Sequence, residues 1–272
     1  VLTAGQEAPS PGRPCPPLDS YSPLLVAAFR LYLRWFFWRK FHAVRLSRTG
    51  IAQLPSLAPV VVYCNHPSWW DPAVFLLTLP WIVPGRRGFA PMDAIELQRY
   101  GLFRRMGLFG IEPASPRGGA AFLRTALAGM HRPATALFIT AEGHFTDPRL
   151  RPVRLRAGVA HLARRCPDAV FLPLALEYSF WNESKPEALL RFGPPVRPAE
   201  GDSVAAWQTA LEDGLTRTMD ALATESATRN PAAFVRLLGG TAGVGGIYDL
   251  WRRLRAAAGG RSFEAHHQPE RQ

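Results

Sequence analysis

The chain has 272 residues, a formal charge of +11 and 47% apolar side chains, which is enough for one full core and argues for one large domain rather than two. No run reaches the roughly 18 to 20 uncharged apolar residues that a spanning helix needs, and the polar, proline-rich start lacks the basic-then-apolar pattern and cleavage site of a secretory signal. Cys15, Cys64 and Cys166 are scattered without CxxC spacing, which argues against a disulfide framework or a zinc site and fits a reducing cytosol.

Half of the 32 basic residues fall in three acid-free stretches, 22–50, 149–165 and 251–261, and nearly all are arginine. Such a balance points to an anionic partner: nucleic acid, a membrane surface or a phosphate-bearing substrate. Arginine used simply as the surface cation is the plain alternative. Clustering beside aromatic residues favours a membrane, and the absence of helix-turn-helix, RNP-type and zinc-finger patterns argues against nucleic acid.

Taken in order, residues 1–21 carry prolines 9, 11, 14, 16 and 17 and read as a disordered or loosely attached arm. Residues 22–49 read as an amphipathic helix, Leu24 to Leu46, with Ser22-Pro23 as cap and first turn. Leu25, Phe29, Tyr32, Leu33 and Phe36 share one side, and Trp35, Phe37, Trp38 and Phe41 sit among Arg30, Arg34, Arg39 and Lys40. That pattern suits an interfacial helix, with rings at headgroup depth and cations on phosphates. A helix packed on the core with snorkelling arginines is the competing reading.

Residues 50–230 alternate apolar runs with helical patterns. Val60 to Cys64 reads as a buried strand, Trp69 to Leu79 as an apolar helix and Trp81–Val83 as a further short strand. Pro91 to Phe103 is partly helical around Ala94–Leu97. Gly107 to Pro113 gives a strand ending in a turn, Gly118 to Met130 a helix, and Thr135–Ile139 a buried strand. Arg154 to Arg165 reads as a basic helix, Ala169–Tyr178 and Ala188–Phe192 as strands, and Ser203 to Thr224 as a long amphipathic helix. The implied fold class is α/β, a largely parallel central sheet flanked by helices, with an amphipathic N-terminal helix and a basic C-terminal helix.

In residues 231–272, five glycines between Gly239 and Gly246 lack the Lys-Ser/Thr of a phosphate loop and read as a joint. Ile247, Leu250, Trp251 and Leu254 then form a helical stripe backed by Arg252, Arg253 and Arg255, a membrane or partner helix. Residues 259–272 read as a flexible tail.

In open α/β sheets, sites gather at the carboxyl ends of strands. Two such ends carry catalytic residue types: Asn65-His66…Asp71 and Ala141-Glu142-Gly143-His144. Asp71, in the first turn of the following helix, can accept from one imidazole nitrogen of His66 and leave the other free to take a proton. Taken alone, a His/Asp pair of this spacing is more often structural than catalytic. The His66, His144 and carboxylate set matches no metal-ligand spacing, and there is no Gly-x-Ser-x-Gly elbow.

Asn65-His66-Pro67-Ser68-Trp69-Trp70-Asp71 resembles the NHx4D box of the glycerolipid acyltransferases, the lysophosphatidate-acyltransferase-like superfamily. Gly107 to Glu112 resembles the family's second block, Phe138 to Gly143 its third, Leu155-Arg156-Ala157-Gly158 the basic element after it, and Phe171-Leu172-Pro173-Leu174 its fourth. The resemblance runs over roughly residues 50–200. It implies transfer of a fatty acyl group from acyl-CoA or acyl carrier protein to a lipid hydroxyl, without metal or cofactor. His66 is then the general base and Asp71 its orienter, and the hydroxyl attacks the thioester directly. Asn65 and Ser68 support the oxyanion and cleft; Glu142, Gly143 and His144 shape the acceptor side.

Two positions depart from the family pattern. Its second block usually ends in an arginine where Pro113 stands, and its third continues Glu-Gly-Thr-Arg where Glu142-Gly143-His144-Phe145 stands. Both arginines are associated with the acceptor's phosphate. Arg117, Arg149, Arg151 or Arg154 could substitute; otherwise the acceptor lacks a phosphate there, as a glycolipid, a glycosylated terpenoid or an acylated amino-lipid would. His144 is open between structural filler, a donor to the acceptor and a second acid/base. The expected setting is the cytoplasmic side of a membrane, with the anionic surface met by residues 22–50 and 247–258. A catalytically silent basic membrane-binding protein on the same fold is the alternative.

Overall fold

The computed structural model describes residues 14–50, 58–113, 115–197, 203–241 and 255. The rest of the proline-rich arm, the glycine-rich joint beyond residue 241, the basic segment 247–258 apart from Arg255, and the tail lie outside the described residues.

The centre is an eight-stranded sheet in the order β4-β3-β5-β2-β6-β7-β1-β8. The strands are β1 (Ala43–Ser47), β2 (Val60–Cys64), β3 (Arg87–Asp93), β4 (Leu108–Ile111), β5 (Thr135–Thr140), β6 (Val170–Ser179), β7 (Glu187–Phe192) and β8 (Phe234–Gly239). From β4 to β6 every pairing is parallel; β7 turns back on β6, β1 runs parallel to β7, and β8 closes the edge antiparallel. The expected largely parallel α/β architecture is what the chain forms.

Period-2 alternation splits the sheet into two buried faces. Val61, Tyr63, Leu137, Ile139, Phe171 and Ala175 meet helices α5 (Pro116–Met130), α6 (Gly158–Arg165) and α7 (Val204–Ala227). Val60, Val62, Cys64, Phe138, Leu172 and Leu174 meet α2 (Pro23–Lys40) and α3 (Asp71–Ile82). Both faces are covered, so the central strands carry uninterrupted apolar runs. Tyr63 is wholly buried and donates its hydroxyl to the Leu211 carbonyl at 3.2 Å, tying the site-bearing strand to α7.

Several boundaries differ from those read in the sequence. Residues 14–20 are not loosely attached: Pro16–Asp19 form a helical turn, α1, and Cys15 and Leu18 are buried in the α5 face of the core. Asp19 adds a 2.6 Å ion pair with Arg132. The first long helix stops at Lys40, and residues 43–47 form β1. The cause is tertiary. His42 Nδ1 and Arg45 Nε reach the two oxygens of Glu187 on β7 at 2.6 and 3.0 Å, and that buried pairing draws the segment into the sheet. The α/β body therefore begins before residue 50 and runs past residue 230 to include β8.

No strand forms at Trp81–Val83, because α3 continues to Ile82 with Pro80 inside its last turn. A proline there forfeits one backbone bond, yet Val83 N–H still closes on the Leu79 carbonyl at 2.9 Å. The strand of this region is β3, which continues into α4 (Ala94–Arg99) through Asp93, whose carboxylate accepts from the Ile95 and Glu96 amides. Gly107, at φ +95, opens β4; a Cβ there would lie 2.3 Å from the Gly88 carbonyl oxygen, so the β3–β4 approach needs glycine.

Helix α2 packs one face on the core and leaves another exposed. Val26, Leu33 and Phe37 are buried against the core, whereas Leu24, Leu31, Tyr32, Trp35 and Trp38 are exposed. Among the described residues no helix is long and apolar enough to cross a membrane.

Candidate active site

β2 and β5 are adjacent and parallel, with Cys64 opposite Thr140, so the chain leaves both strands at the same edge of the sheet. Two loops meet there: residues 65–70 leading into α3, and residues 141–157 leading toward α6. Ala141 N–H bonds the Cys64 carbonyl at 2.9 Å, and Thr146 N–H bonds the His66 carbonyl at 3.0 Å. The two sequence blocks that carry catalytic residue types are thereby held together.

His66 Nδ1 lies 2.6 Å from Asp71 Oδ2. Asp71 is wholly buried in the first turn of α3, while the His66 side chain is 16% exposed. Ser68 N–H donates to the same carboxylate oxygen at 3.2 Å, and Ser68 Oγ accepts from Trp70 N–H at 3.3 Å, so the loop closes around the aspartate. The Tyr178 hydroxyl donates to Asp71 Oδ1 at 2.7 Å. With Nδ1 donating to an ionised Asp71, Nε2 is left as the acceptor.

Burial raises the Asp71 carboxyl above the ordinary aspartate range, and the bonds from His66, Tyr178 and Ser68 pull it back part of the way. Burial likewise raises Glu142, against the pull of the His66 amide and the two histidines. The Tyr178 phenol is held well above its ordinary value by burial and by the charge of Asp71, so it stays a donor.

Asn65 does not face the cleft as expected for oxyanion support. It is wholly buried, and its amide bonds the Leu176 carbonyl and amide at 2.9 and 2.8 Å, clamping the end of β2 to β6. Glu142 is also buried, and its Oε2 accepts from His66 N–H at 2.7 Å. It fixes the histidine's backbone rather than presenting charge to an acceptor. Gly143 adopts φ +71, which the tight turn to the Thr140 carbonyl requires, and a Cβ would meet the Arg156 side chain at 2.9 Å.

His144 is exposed and its Nδ1 donates to the Glu142 carbonyl at 3.0 Å, leaving Nε2 outward. Phe145, where the family pattern has arginine, is 61% exposed, with its ring 4.4 Å from that of His66. The candidate arginines lie elsewhere. Arg149 is bound to Asp147 in its own turn. Arg151 pairs with Asp220, and Arg154 with Glu212, both on α7. Arg117 is exposed in the first turn of α5, which follows β4; that strand is three places from β2 in the sheet order, about 14 Å at ordinary strand spacing. Arg149, Arg151 and Arg154 are thus each engaged with a carboxylate.

The sequence reading missed Tyr178 as a site residue. The available signal was strand parity: Leu174 lies opposite Cys64, so Leu174, Leu176 and Tyr178 point to the face on which α3 carries Asp71. It also missed the aromatic wall in which Phe36, Phe37 and Phe41 pack on Trp70 at 5.2 to 5.8 Å, placing α2 against the site loop. Among the described residues, no three His, Cys, Asp or Glu side chains gather in a metal-binding cluster. The three cysteines are free and buried.

Residues 45–177 match the family model described as Acyltransferase. The solved structure of the 1-acyl-sn-glycerophosphate (LPA) acyltransferase PlsC from Thermotoga maritima is similar to this chain at TM-score 0.49 and 15% identity, covering 74% of this chain and 78% of that chain. No curated protein matches the chain. The segment that builds the His66–Asp71 site, residues 45–177, thus carries the pattern of the acyltransferase family.

Proposed function

We propose that the protein moves a fatty acyl group from acyl-CoA or acyl carrier protein to a hydroxyl of a lipid acceptor at a membrane surface. The observation that carries the reading is the 2.6 Å His66–Asp71 pair, exposed on its histidine side and buried on its aspartate side. His66 Nε2 takes the acceptor hydroxyl proton as the oxygen attacks the thioester carbonyl. Asp71 fixes the tautomer and stabilises the imidazolium. The tetrahedral intermediate then expels the thiolate, which takes the proton back from His66. The products are an oxygen ester and a free thiol, with no acyl-enzyme, metal or further cofactor.

The acceptor presents its hydroxyl from a part of the molecule without phosphate. A phosphate there needs charge-assisted donors, yet Pro113 and Phe145 occupy the family's arginine positions, and Arg149, Arg151 and Arg154 are engaged with carboxylates. Phe145 instead offers an exposed ring beside His66. A sugar-bearing or otherwise neutral lipid fits such a rim.

The membrane is met by the outer face of α2 from the cytoplasmic side, peripherally. Leu31, Tyr32, Trp35 and Trp38 are exposed there, and Arg39 stacks over Trp35 at 5.3 Å. Rings at headgroup depth beside cations suit an anionic interface, and the inner face of the same helix packs on Trp70, four positions after His66.

The test is product identification: labelled long-chain acyl-CoA, an extracted lipid pool, and the wild type beside His66→Ala. The wild type should label a lipid whose acylated part bears no phosphate, and the variant should label none. Equal labelling by both proteins overturns the reading of His66, and labelled phosphatidate, formed from lysophosphatidate, overturns the reading of the acceptor.

A further inference from the structure

Tyr178 lies one residue beyond the segment matched to the acyltransferase family and outside every motif block read in the sequence. Strand β6 brings it 107 positions along the chain to the back of Asp71, where its hydroxyl donates to Oδ1 at 2.7 Å. Asp71 Oδ2 is occupied by His66 Nδ1 and Ser68 N–H, so the wholly buried carboxylate accepts three donors, one of them from a different strand. The ring packs on Phe41, 6.0 Å between centroids, and Phe41 on Trp70, which fixes where the hydroxyl points.

We propose that Tyr178 is a positioning residue for acyl transfer: its hydroxyl holds the buried Asp71 carboxylate charged and turned toward His66, so that His66 Nε2 faces the acceptor. The inference rests on the reading of His66 as general base. A buried carboxylate oxygen stripped of its donor is costly to leave unmet. Without Tyr178 the carboxylate would rotate toward other donors or take up a proton, and either change disorients the imidazole. The titratable groups facing this carboxylate are His66 from the loop, Cys64 from β2 and Tyr178 from β6, with Glu142 facing Cys64 and His66 from the β5 loop.

The experiment is the pH profile of thiol release for the full-length wild type, Tyr178→Phe and His66→Ala, with saturating long-chain acyl-CoA and extracted lipid acceptor. Tyr178→Phe should lower kcat about tenfold to a hundredfold, with KM for the thioester changed less than about twofold. Loss of a donor leaves the carboxylate more basic, so the His66–Asp71 pair takes up its proton more readily and the acid limb moves to higher pH. A merely structural role would lower the active fraction and leave that limb in place.

If Tyr178→Phe melts early, 3-fluorotyrosine at position 178 keeps the shape and supplies a more acidic phenol. The limb must then move to lower pH. An inactive His66→Ala beside a Tyr178→Phe with wild-type rate and limb, or an unmoved limb in either Tyr178 variant, overturns the positioning role alone. A fully active His66→Ala overturns the base and its positioning residue together.

Discussion

The two loops that meet at the carboxyl edge of the sheet are built in opposite ways. Behind His66, polar groups are buried and mutually satisfied: Asp71 takes three donors, Asn65 clamps β2 to β6, and Glu142 holds the His66 amide. In front of it, Phe145 and Leu150 are exposed at 61% each, His144 turns its free nitrogen outward, and Arg149 spends its charge on Asp147. A buried network tolerates few substitutions because each lost partner strands another. An exposed rim changes at little cost to the fold. Under the function proposed above, acyl-transfer chemistry is stored in the first region and acceptor choice in the second, so that each should be alterable without the other.

The largest expected effect comes from breaking the buried region. Asp71→Asn should lower kcat about a hundredfold or more, because an amide sets the wrong imidazole tautomer. Binding of the thioester should be unchanged in equilibrium dialysis with a non-hydrolysable analogue. A loss of binding equal to the loss of rate would show that the two regions are not separable.

Rewriting the rim is the converse. Phe145→Arg should raise turnover of a phosphate-bearing acceptor about tenfold, the worth of one charge-assisted contact, and lower turnover of the native acceptor. Competition between the two acceptors in one reaction measures both changes. A loss of turnover with both would mean that Phe145 serves the His66 geometry rather than the acceptor.

The membrane docking proposed above belongs to a third surface, the outer face of α2. Trp35→Ala with Trp38→Ala should weaken sedimentation with anionic vesicles about tenfold, as loss of buried indole area implies. Turnover of a short-chain, water-soluble thioester should stay within about twofold, since those rings are exposed and it is Phe36, Phe37 and Phe41 that pack on Trp70. A parallel loss in both assays would tie the rings to the site itself.

The smallest expected effect is on stability. Glu142 sits above the ordinary glutamate value of 4.5 because it is buried. An acid raised in this way contributes stability that is complete below the unfolded value and lost as pH rises through the folded one. Glu142→Gln keeps an acceptor for the His66 amide and removes that loss. Its melting temperature should therefore gain on the wild type as pH climbs from about 4.5 toward neutrality. A gap that narrows over that range would mean that the carboxylate is stabilised by its partners rather than strained by burial.

Much of the buried region was legible in the sequence. Val60 to Cys64 and Thr135 to Ile139 read as buried strands, and both are strands of the sheet, with catalytic residue types following each. What stayed hidden depended on partners far along the chain. His42 and Arg45 read as the end of a basic helix, and only Glu187 on β7 makes them part of a strand. Cys15 and Leu18 read as part of a proline-rich arm until the α5 face buries them. Tyr178 looked like the end of a strand. Its role appears once β6 is known to lie beside β2. Local pattern gives the element, but the neighbour that overrides or completes it comes from topology.

The most direct test of the account is thiol release from long-chain acyl-CoA by the wild type and His66→Ala, both bound to the same vesicles and both supplied with extracted acceptor. The account predicts acceptor-dependent release by the wild type, about a hundredfold to ten-thousandfold less by the variant, and equal vesicle binding. Equal thiol release by the two proteins would contradict it.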